Sequence, residues 1–313
     1  MTNAHSIKTT LLLAATQLKA QGIDAETAKF EAQLLLQHLL NVNRAWLIAH
    51  ENDALQANIH AAYRALINRR VNGEPIAYIL GVREFYGLTL KVSADTLIPR
   101  PDTETLVEAA LGKIPLMVRQ AHHKRDLYAP VRPELVEGCG NDALRILDLG
   151  TGSGAIALAI AKHAPFAKVT AVDASQAALD IAIENAQSLA ITNIKFILSD
   201  WFSALSQKND TQKFDVIVSN PPYIEANDVH LSQGDLPWEP ISALVAGQDG
   251  LSDIRRIIQN APQHLNPHGY LLLEHGYNQA EAVANLLKQT GFSEIETIKD
   301  LGGNDRVTLG KLC

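Results

Sequence analysis

The chain has 313 residues, 47% of them apolar, enough to bury a large core, and its length points to two domains. A formal net charge of -7 gives no basic footprint and speaks against a nucleic-acid partner, while Cys139 and Cys313 are too few for a disulfide framework and too far apart for a metal motif. No stretch approaches the roughly 18 apolar residues that span a bilayer, and no charged segment precedes a long apolar core at the start, so a cytoplasmic protein without a membrane association is expected.

From Ser6 to Asn72 the pattern is helical. Leu11, Leu12, Ala15 and Leu18 recur on one face up to Gly22, and Asp24 can cap a second helix that carries Phe30, Leu34, Leu35, His38 and Leu39. Further helices are expected over Trp46–His50 and Ala57–Arg70, with Gly73 as the stop. This stretch, 1–73, reads as a small all-helical domain for recognition. It has no catalytic spacing, and His38 on its apolar face reads as a packed core histidine.

Residues 74–96 read as a linker. Gly73-Glu74-Pro75 breaks the helix, and Phe85, Leu88, Leu90 and Val92 alternate around Gly87 as in a hairpin. The segment Leu97-Ile98-Pro99-Arg100-Pro101-Asp102-Thr103-Glu104 follows. It reads equally as a proline-flanked helix cap and as a lid with Arg100 and Glu104 near a pocket. Leu116–Gly140 lacks periodicity, carries two prolines and a run of basic residues, and is longer than a helix-to-strand connection needs. It reads as a mobile surface insertion at the amino ends of the sheet, away from the site. His122-His123 within it has no carboxylate or cysteine at ligand spacing, and no metal is expected.

Arg145–Ala155 is a strand, a glycine turn and a helix start. Gly150, Thr151, Gly152, Ser153 and Gly154 let backbone approach a ligand, and the helix amino terminus offers N–H groups to a carboxylate or other anion. The run also satisfies a dinucleotide fingerprint if Ala155 stands for the third glycine. In either case Asp173, at the end of the next strand, suits the two hydroxyls of a ribose. A helix over Ser175–Leu189 and a strand over Ile194–Leu198 lead to Asp200-Trp201, an acid and a large ring able to accept an adenine amine and flank its face.

Phe214–Ser219 is an apolar run bounded by turn residues, a buried parallel strand that delivers Asn220-Pro221-Pro222-Tyr223 at its carboxyl end, where open α/β sheets bind ligands. Proline holds Asn220 extended and fixes its own φ, so the Asn220 side chain and the Pro221 carbonyl can converge on one guest. A conjugated NH2 group is a poor nucleophile because its lone pair is delocalised. Two acceptors on its hydrogens orient it and return electron density to nitrogen, and Tyr223 can lie against the planar face. An adenine or a carboxamide fits. Beyond a long loop over Leu231–Asp249, helices are expected over Asp253–Leu265 and Gln279–Gln289, a strand over Tyr270–Glu274, and an antiparallel pair over Phe292–Ile298 and Arg306–Leu309. Glu274-His275 has no nucleophile beside it and reads as packing.

The glycine turn, acidic second strand, Asp-Trp third strand and Asn-Pro-Pro-Tyr fourth strand resemble a class I S-adenosylmethionine methyltransferase. More narrowly, the chain is similar throughout to the bacterial release factor glutamine N-methyltransferases. The likeness extends over the helical domain, Gly73-Glu74-Pro75-Ile76-Ala77-Tyr78, Ile98–Glu104, the nucleotide fold and the ending Asn304-Asp305-Arg306-Val307-Thr308-Leu309-Gly310. Leu116–Gly140 departs from the family's short connection and resembles peptides encoded by bacterial interspersed repeats.

The resemblance implies an α/β fold with a mainly parallel seven-stranded sheet, helices on both faces and a helical domain in front. It implies a methyltransferase domain over 97–313 and S-adenosyl-L-methionine as cofactor, with Gly150–Gly154 around its methionine part, Asp173 on its ribose, and Asp200 and Trp201 at its adenine. Asn220 would touch both cofactor and substrate. Asn220, Pro221, Pro222 and Tyr223 would hold a glutamine amide of a release factor, with Asn220, Pro221 and Tyr223 catalytic. Rival readings are an adenine N6-methyltransferase, for which strong salt-dependent binding of nucleic acid would speak, a nicotinamide-dependent oxidoreductase, and a cofactor-binding adaptor without turnover.

Overall fold

Ser6, Asp24 and Asn43 each offer a side-chain oxygen to the first amides of a helix and start α1 (Ile7–Ala20), α2 (Ala25–Leu40) and α3 (Arg44–Ala49). They are followed by α4 (Ala57–Val71) and α5 (Ile76–Leu80). The computed structural model describes residues 6–123, 144–205 and 213–313. These fall into two compact units, one of Met1–Val82 with Gln233–Trp238, the other of Arg83–Ser232 with Glu239–Cys313.

In the first unit the helices bury a different stripe from the one the large apolar residues mark. α1 turns in Ile7, Thr10, Ala14 and Leu18, and leaves Leu12 exposed. α2 turns in Ala28, Glu31, Ala32, Leu35 and Leu36, so Phe30 and His38 face outward and His38 is not a core histidine. Two features hide this stripe in the sequence. Alanines form much of it, and Glu31 lies on it because Arg70 Nε meets its carboxylate at 2.8 Å. Arg70 also donates to the Glu74 carbonyl at 3.1 Å and lies 3.6 Å from Asp235, tying Gln233–Trp238 to the helices. The Tyr63 hydroxyl donates to the Ala32 carbonyl at 2.9 Å inside this core.

The second unit opens with a hairpin, β1 (Val82–Phe85) and β2 (Leu88–Lys91), turned by Tyr86 and Gly87, both at positive φ as a two-residue hairpin turn requires. A 3-10 turn over Pro101–Thr103 leads into α6, Glu104–His123, which covers the first part of the expected insertion at Leu116. The insertion therefore begins inside a helix. Its remainder, 124–140 with Cys139, and the side chains of His122 and His123 lie outside the described residues.

Then follow β3 (Arg145–Leu149), α7 (Ala155–His163), β4 (Lys168–Asp173), α8 (Gln176–Ser188), β5 (Ile194–Leu198), β6 (Phe214–Ser219), α9 (Ser252–His264), β7 (Leu265–Glu274), α10 (Ala280–Gln289), β8 (Phe292–Lys299) and β9 (Asp305–Leu312). The order across the seven-stranded sheet is β5-β4-β3-β6-β7-β9-β8, parallel except for β9, which runs antiparallel to β7 and β8. One apolar cluster joins α6 and α7 to one face of the sheet, another joins α9 and α10 to the other. The chain leaves β3 toward β4 on one side and returns to β6 on the other, which makes the carboxyl ends of β3 and β6 the switch point. No described helix is long and apolar enough to cross a membrane.

Two side-chain and backbone details hold this frame. Asn185 of α8 is buried. It donates to the carbonyls of Lys91 (3.0 Å) and Ser153 (2.9 Å), and its own oxygen accepts from Lys91 N (2.7 Å). Asn185→Ala strands the buried Ser153 carbonyl and takes the side-chain partner from both backbone groups of the exposed Lys91, and urea unfolding is expected to show a loss of about 1–3 kcal/mol. Gly250 has φ +68, and a Cβ there would stand 2.3 Å from the Tyr223 carbonyl oxygen. Gly250→Ala must displace that backbone, so a fall in stability of about 2 kcal/mol or more is expected in the same measurement.

Candidate active site

Strand register lines up five residues along the carboxyl edge of the sheet. Leu149 of β3 pairs with Val172 of β4 and with Ser219 of β6, so Gly150 emerges between Asp173 and Asn220. Ser219 pairs in turn with Leu273 of β7, which sets Glu274 on the far side of Asn220. His275 N donates to the Arg306 carbonyl at 3.0 Å, so Arg306 of β9 ends the row. The Ser219 hydroxyl donates to the Leu149 carbonyl at 2.7 Å and locks the central pair at this level.

Four amides of the glycine turn are bonded within the protein. Gly150 N and Thr151 N both donate to the Val172 carbonyl at 2.9 Å, Gly152 N to Asp173 Oδ2 at 2.8 Å and Gly154 N to the Thr151 carbonyl at 2.9 Å. These four donors are spent inside the turn, so they are not an open cradle for an anion. The glycines contribute space and backbone shape instead. All three have positive φ. A Cβ at Gly152 would meet nothing within 4 Å, whereas one at Gly150 would stand 3.3 Å from the Trp201 ring and one at Gly154 would stand 2.9 Å from Leu158. Thr151 and Ser153 are buried; the Thr151 hydroxyl donates to Asp148 Oδ2 at 2.6 Å, and the Ser153 carbonyl takes the bond from Asn185.

Asp148 is the acid that sequence reasoning passed over. It is fully buried beneath the turn, and its Oδ1 has no hydrogen-bond partner. Burial pushes its carboxyl up to about 7, the charge on Asp173 adds to this, and the Thr151 hydroxyl opposes it. An acid inside the buried run Ile146-Leu147-Asp148-Leu149 was the available signal. Burial raises Asp173 as well, against the amides of Ser175 and Gly152 that its two oxygens accept.

Trp201 sits at φ 49, and its Nε1 donates to Asp253 Oδ1 at 3.2 Å, which holds the ring over Gly150. Asp200 is exposed, and both its oxygens receive the Arg256 guanidinium, at 2.8 and 2.7 Å. Asp253 and Arg256 lie one helical turn apart on α9 and gave no motif by which to recognise them. Asp200 thus has a cationic partner that leaves each oxygen a further lone pair.

At the other side of the switch point, Pro221 and Pro222 are buried and Asn220 and Tyr223 half-buried. Asn220 Nδ2 donates to Thr103 Oγ1 at 3.3 Å, so Oδ1 is the side-chain atom left to receive a guest's hydrogen. The Tyr223 carbonyl accepts from Gln279 Nε2 at 3.0 Å, and burial, with the charge of Glu274 nearby, raises its hydroxyl's pKa. Of the segment before α6, neither Arg100 nor Glu104 takes Asn220 as partner. Arg100 pairs with the buried Glu239, and Glu104 Oε1 accepts from Tyr86 N at 2.9 Å. Thr103 is the member of that segment that meets Asn220.

His275 fills the packing role expected of it, fully buried with Nε2 2.7 Å from Thr308 Oγ1 and Nδ1 2.8 Å from the Gly276 carbonyl. Glu274 does not. It is 1% exposed among the hydroxyls of Thr103 and Tyr223, and burial pushes its carboxyl up to about 7. Along this edge the acids and the Trp201 ring stand at β3, β4 and β5, and the Asn220 side chain stands beside them at β6. Among the described residues no group of three or more His, Cys, Asp or Glu side chains could hold a metal ion.

Known proteins share this plan along the chain. A methyltransferase-domain family matches residues 140–302, and the PrmC N-terminal domain family matches residues 10–81. The release factor glutamine methyltransferase of Salmonella typhimurium is 47% identical over 288 residues, 92% of this chain and 94% of its own. That of Vibrio cholerae is 46% identical over 306 residues, 98% and 96% of the two chains, and that of Escherichia coli 44% over 298 residues, 95% and 96%. With a methyltransferase domain over more than half its length and identity of this order along nearly all of it, the chain belongs to the release factor glutamine methyltransferase family.

Proposed function

We propose that this methyltransferase transfers a methyl group from S-adenosyl-L-methionine to the side-chain amide nitrogen of a glutamine in peptide chain release factors, the glutamine of their Gly-Gly-Gln motif. The observation that carries the reading is the register pair Leu149–Ser219, which sets the glycine turn and Asn220 side by side at the switch point. The net charge of -7 agrees with a protein substrate rather than nucleic acid, in a cytoplasmic reaction that involves no membrane.

The residues present fit the methyl donor. Asp148 Oδ1, buried and without a partner, suits the ammonium of a methionine moiety seated against Gly150–Gly154. Asp173 keeps a lone pair on each oxygen after accepting Gly152 N and Ser175 N, and takes the ribose hydroxyls. Asp200 and Trp201 border the adenine. When bound, the donor supplies an electrophilic methyl on a positively charged sulfur.

The chain's own part is orientation. Asn220 Oδ1 and the Pro221 carbonyl accept the two hydrogens of the substrate amide, which returns electron density to its nitrogen and aims the lone pair. Tyr223 fixes the amide plane. The nitrogen forms its new bond to the methyl carbon as the bond to sulfur breaks, with the electron pair kept by sulfur, and then sheds one of its two hydrogens as a proton along the hydrogen bonds it already makes; no strong base is needed before attack, and preorganisation of this kind is worth on the order of 7–11 kcal/mol in well-oriented reactions. The helical residues 1–73 recognise the release factor, residues 74–96 link, and 97–313 carry the chemistry.

Incubation of the protein with S-adenosylmethionine and an unmethylated release factor, followed by mass spectrometry, is expected to show one added methyl on the glutamine of Gly-Gly-Gln. No increment with the donor bound would overturn the reading. Asn220→Ala is expected to lower kcat by roughly a hundredfold or more while donor affinity, measured by calorimetry, stays nearly unchanged.

A further inference from the structure

Glu274 has no part in the roles assigned above, yet its surroundings are not those of a packing residue. Its side chain is buried at the end of β7, and Oε2 has no hydrogen-bond partner. It is not half of an ion pair either. The nearest cation, Arg306, already holds Asp102 at 3.1 Å and Asp300 at 3.0 Å. What reaches Glu274 is a pair of hydroxyls, Thr103 from the turn before α6 and Tyr223 from the loop after β6.

A hydroxyl has one hydrogen, and that decides the direction of the chain of bonds. Thr103 Oγ1 accepts from Asn220 Nδ2, which leaves its own hydrogen for the neighbouring Glu274 carboxyl, whose ionised form it favours. The Asn220 amide is thereby held with NH2 toward Thr103 and Oδ1 free for a guest. At the other end of the motif the Tyr223 hydroxyl favours the ionised form of the same carboxyl. We propose that Glu274 is a positioning residue that, through Thr103 and Tyr223, fixes both ends of Asn220–Tyr223 in the orientation that receives the substrate amide. This rests on the reading of Asn220 as an amide acceptor.

The device works with an ionised carboxylate, because only that form accepts from both hydroxyls without offering a hydrogen of its own. Facing it are Arg306 from β9, Asp102 and Thr103 from the turn before α6, and Tyr223. Burial raises it, the Thr103 bond and Arg306 oppose burial, Asp102 adds to it, and the result lies at about 7. Turnover therefore rises with pH through about 7. Stability runs the other way. A carboxyl raised from the ordinary range favours folding fully at low pH, and that contribution is lost as pH climbs through about 7.

The test compares wild type, Glu274→Gln, Thr103→Val, their combination and Asn220→Ala with a release factor substrate. Glu274→Gln is expected to lower kcat by roughly ten- to a hundredfold with donor affinity unchanged, and to abolish the rise of kcat with pH. Its Tm should exceed that of wild type above pH 7 by roughly 2–4 °C and lose that advantage in acid. Thr103→Val, which leaves the carboxyl in place, should lower kcat too, and the double variant should fall no further than the worse single one. A Glu274→Gln enzyme with wild-type kcat and pH profile beside an inactive Asn220→Ala overturns the proposal. Full activity of Asn220→Ala would overturn the amide-acceptor reading and the proposal with it.

Discussion

Three neighbouring strands ending at one level is the constraint on which the rest of this molecule depends. Leu149, Ser219 and Leu273 are paired across β3, β6 and β7, so whatever follows each of them is delivered to one line. A slip of one residue in β6 would turn Asn220 to the other face of the sheet and leave the glycine turn facing a proline. Burial of these strands on both faces forbids the slip, because Val216, Ile217 and Val218 are all fully enclosed. The chemistry is thus positioned by the least chemical part of the chain. The Ser219 hydroxyl, spent on the Leu149 carbonyl, adds a polar latch where the apolar grip ends.

Around that line the fold accepts a cost in unsatisfied and desolvated groups. Asp148 and Glu274 are both enclosed acids, each with one oxygen lacking a partner, and each is raised to about 7 by its enclosure. An apolar or amide side chain at either place would suit the core better. Asp148 lies beneath the row and Glu274 in it, whereas elsewhere buried acids are paired: Glu31 with Arg70, Glu239 with Arg100. Stability is therefore given up where ligands are to be received and kept where they are not.

Much of this was legible before any coordinates. The sheet, its glycine turn, Asp173 and the Asn-Pro-Pro-Tyr stretch follow from apolar runs and the residues that end them, because a buried strand must be apolar throughout and its terminator is conspicuous. The helical unit was read less well, since period alone cannot tell Ala28 and Ala32, which pack, from Phe30 and His38, which do not. What stayed hidden at the site were partners distant in sequence. Thr103 meets Asn220 across 117 positions and Arg256 meets Asp200 across 56, and neither side chain is unusual in its own neighbourhood. Glu274 looked like the tail of an apolar strand, and only the pairing of Leu273 with Ser219 reveals its place beside Asn220.

Four of the five amides of Gly150–Gly154 are satisfied against Val172, Asp173 and Thr151. Such a turn keeps its shape whether or not anything rests on it. Arrival and departure of a guest then require no ordering and no melting of backbone, and the entropy that a floppy loop would surrender on each visit is already spent when the chain folds. For a catalyst that must discharge its used donor after every transfer, a rigid floor favours rapid exchange over tight retention.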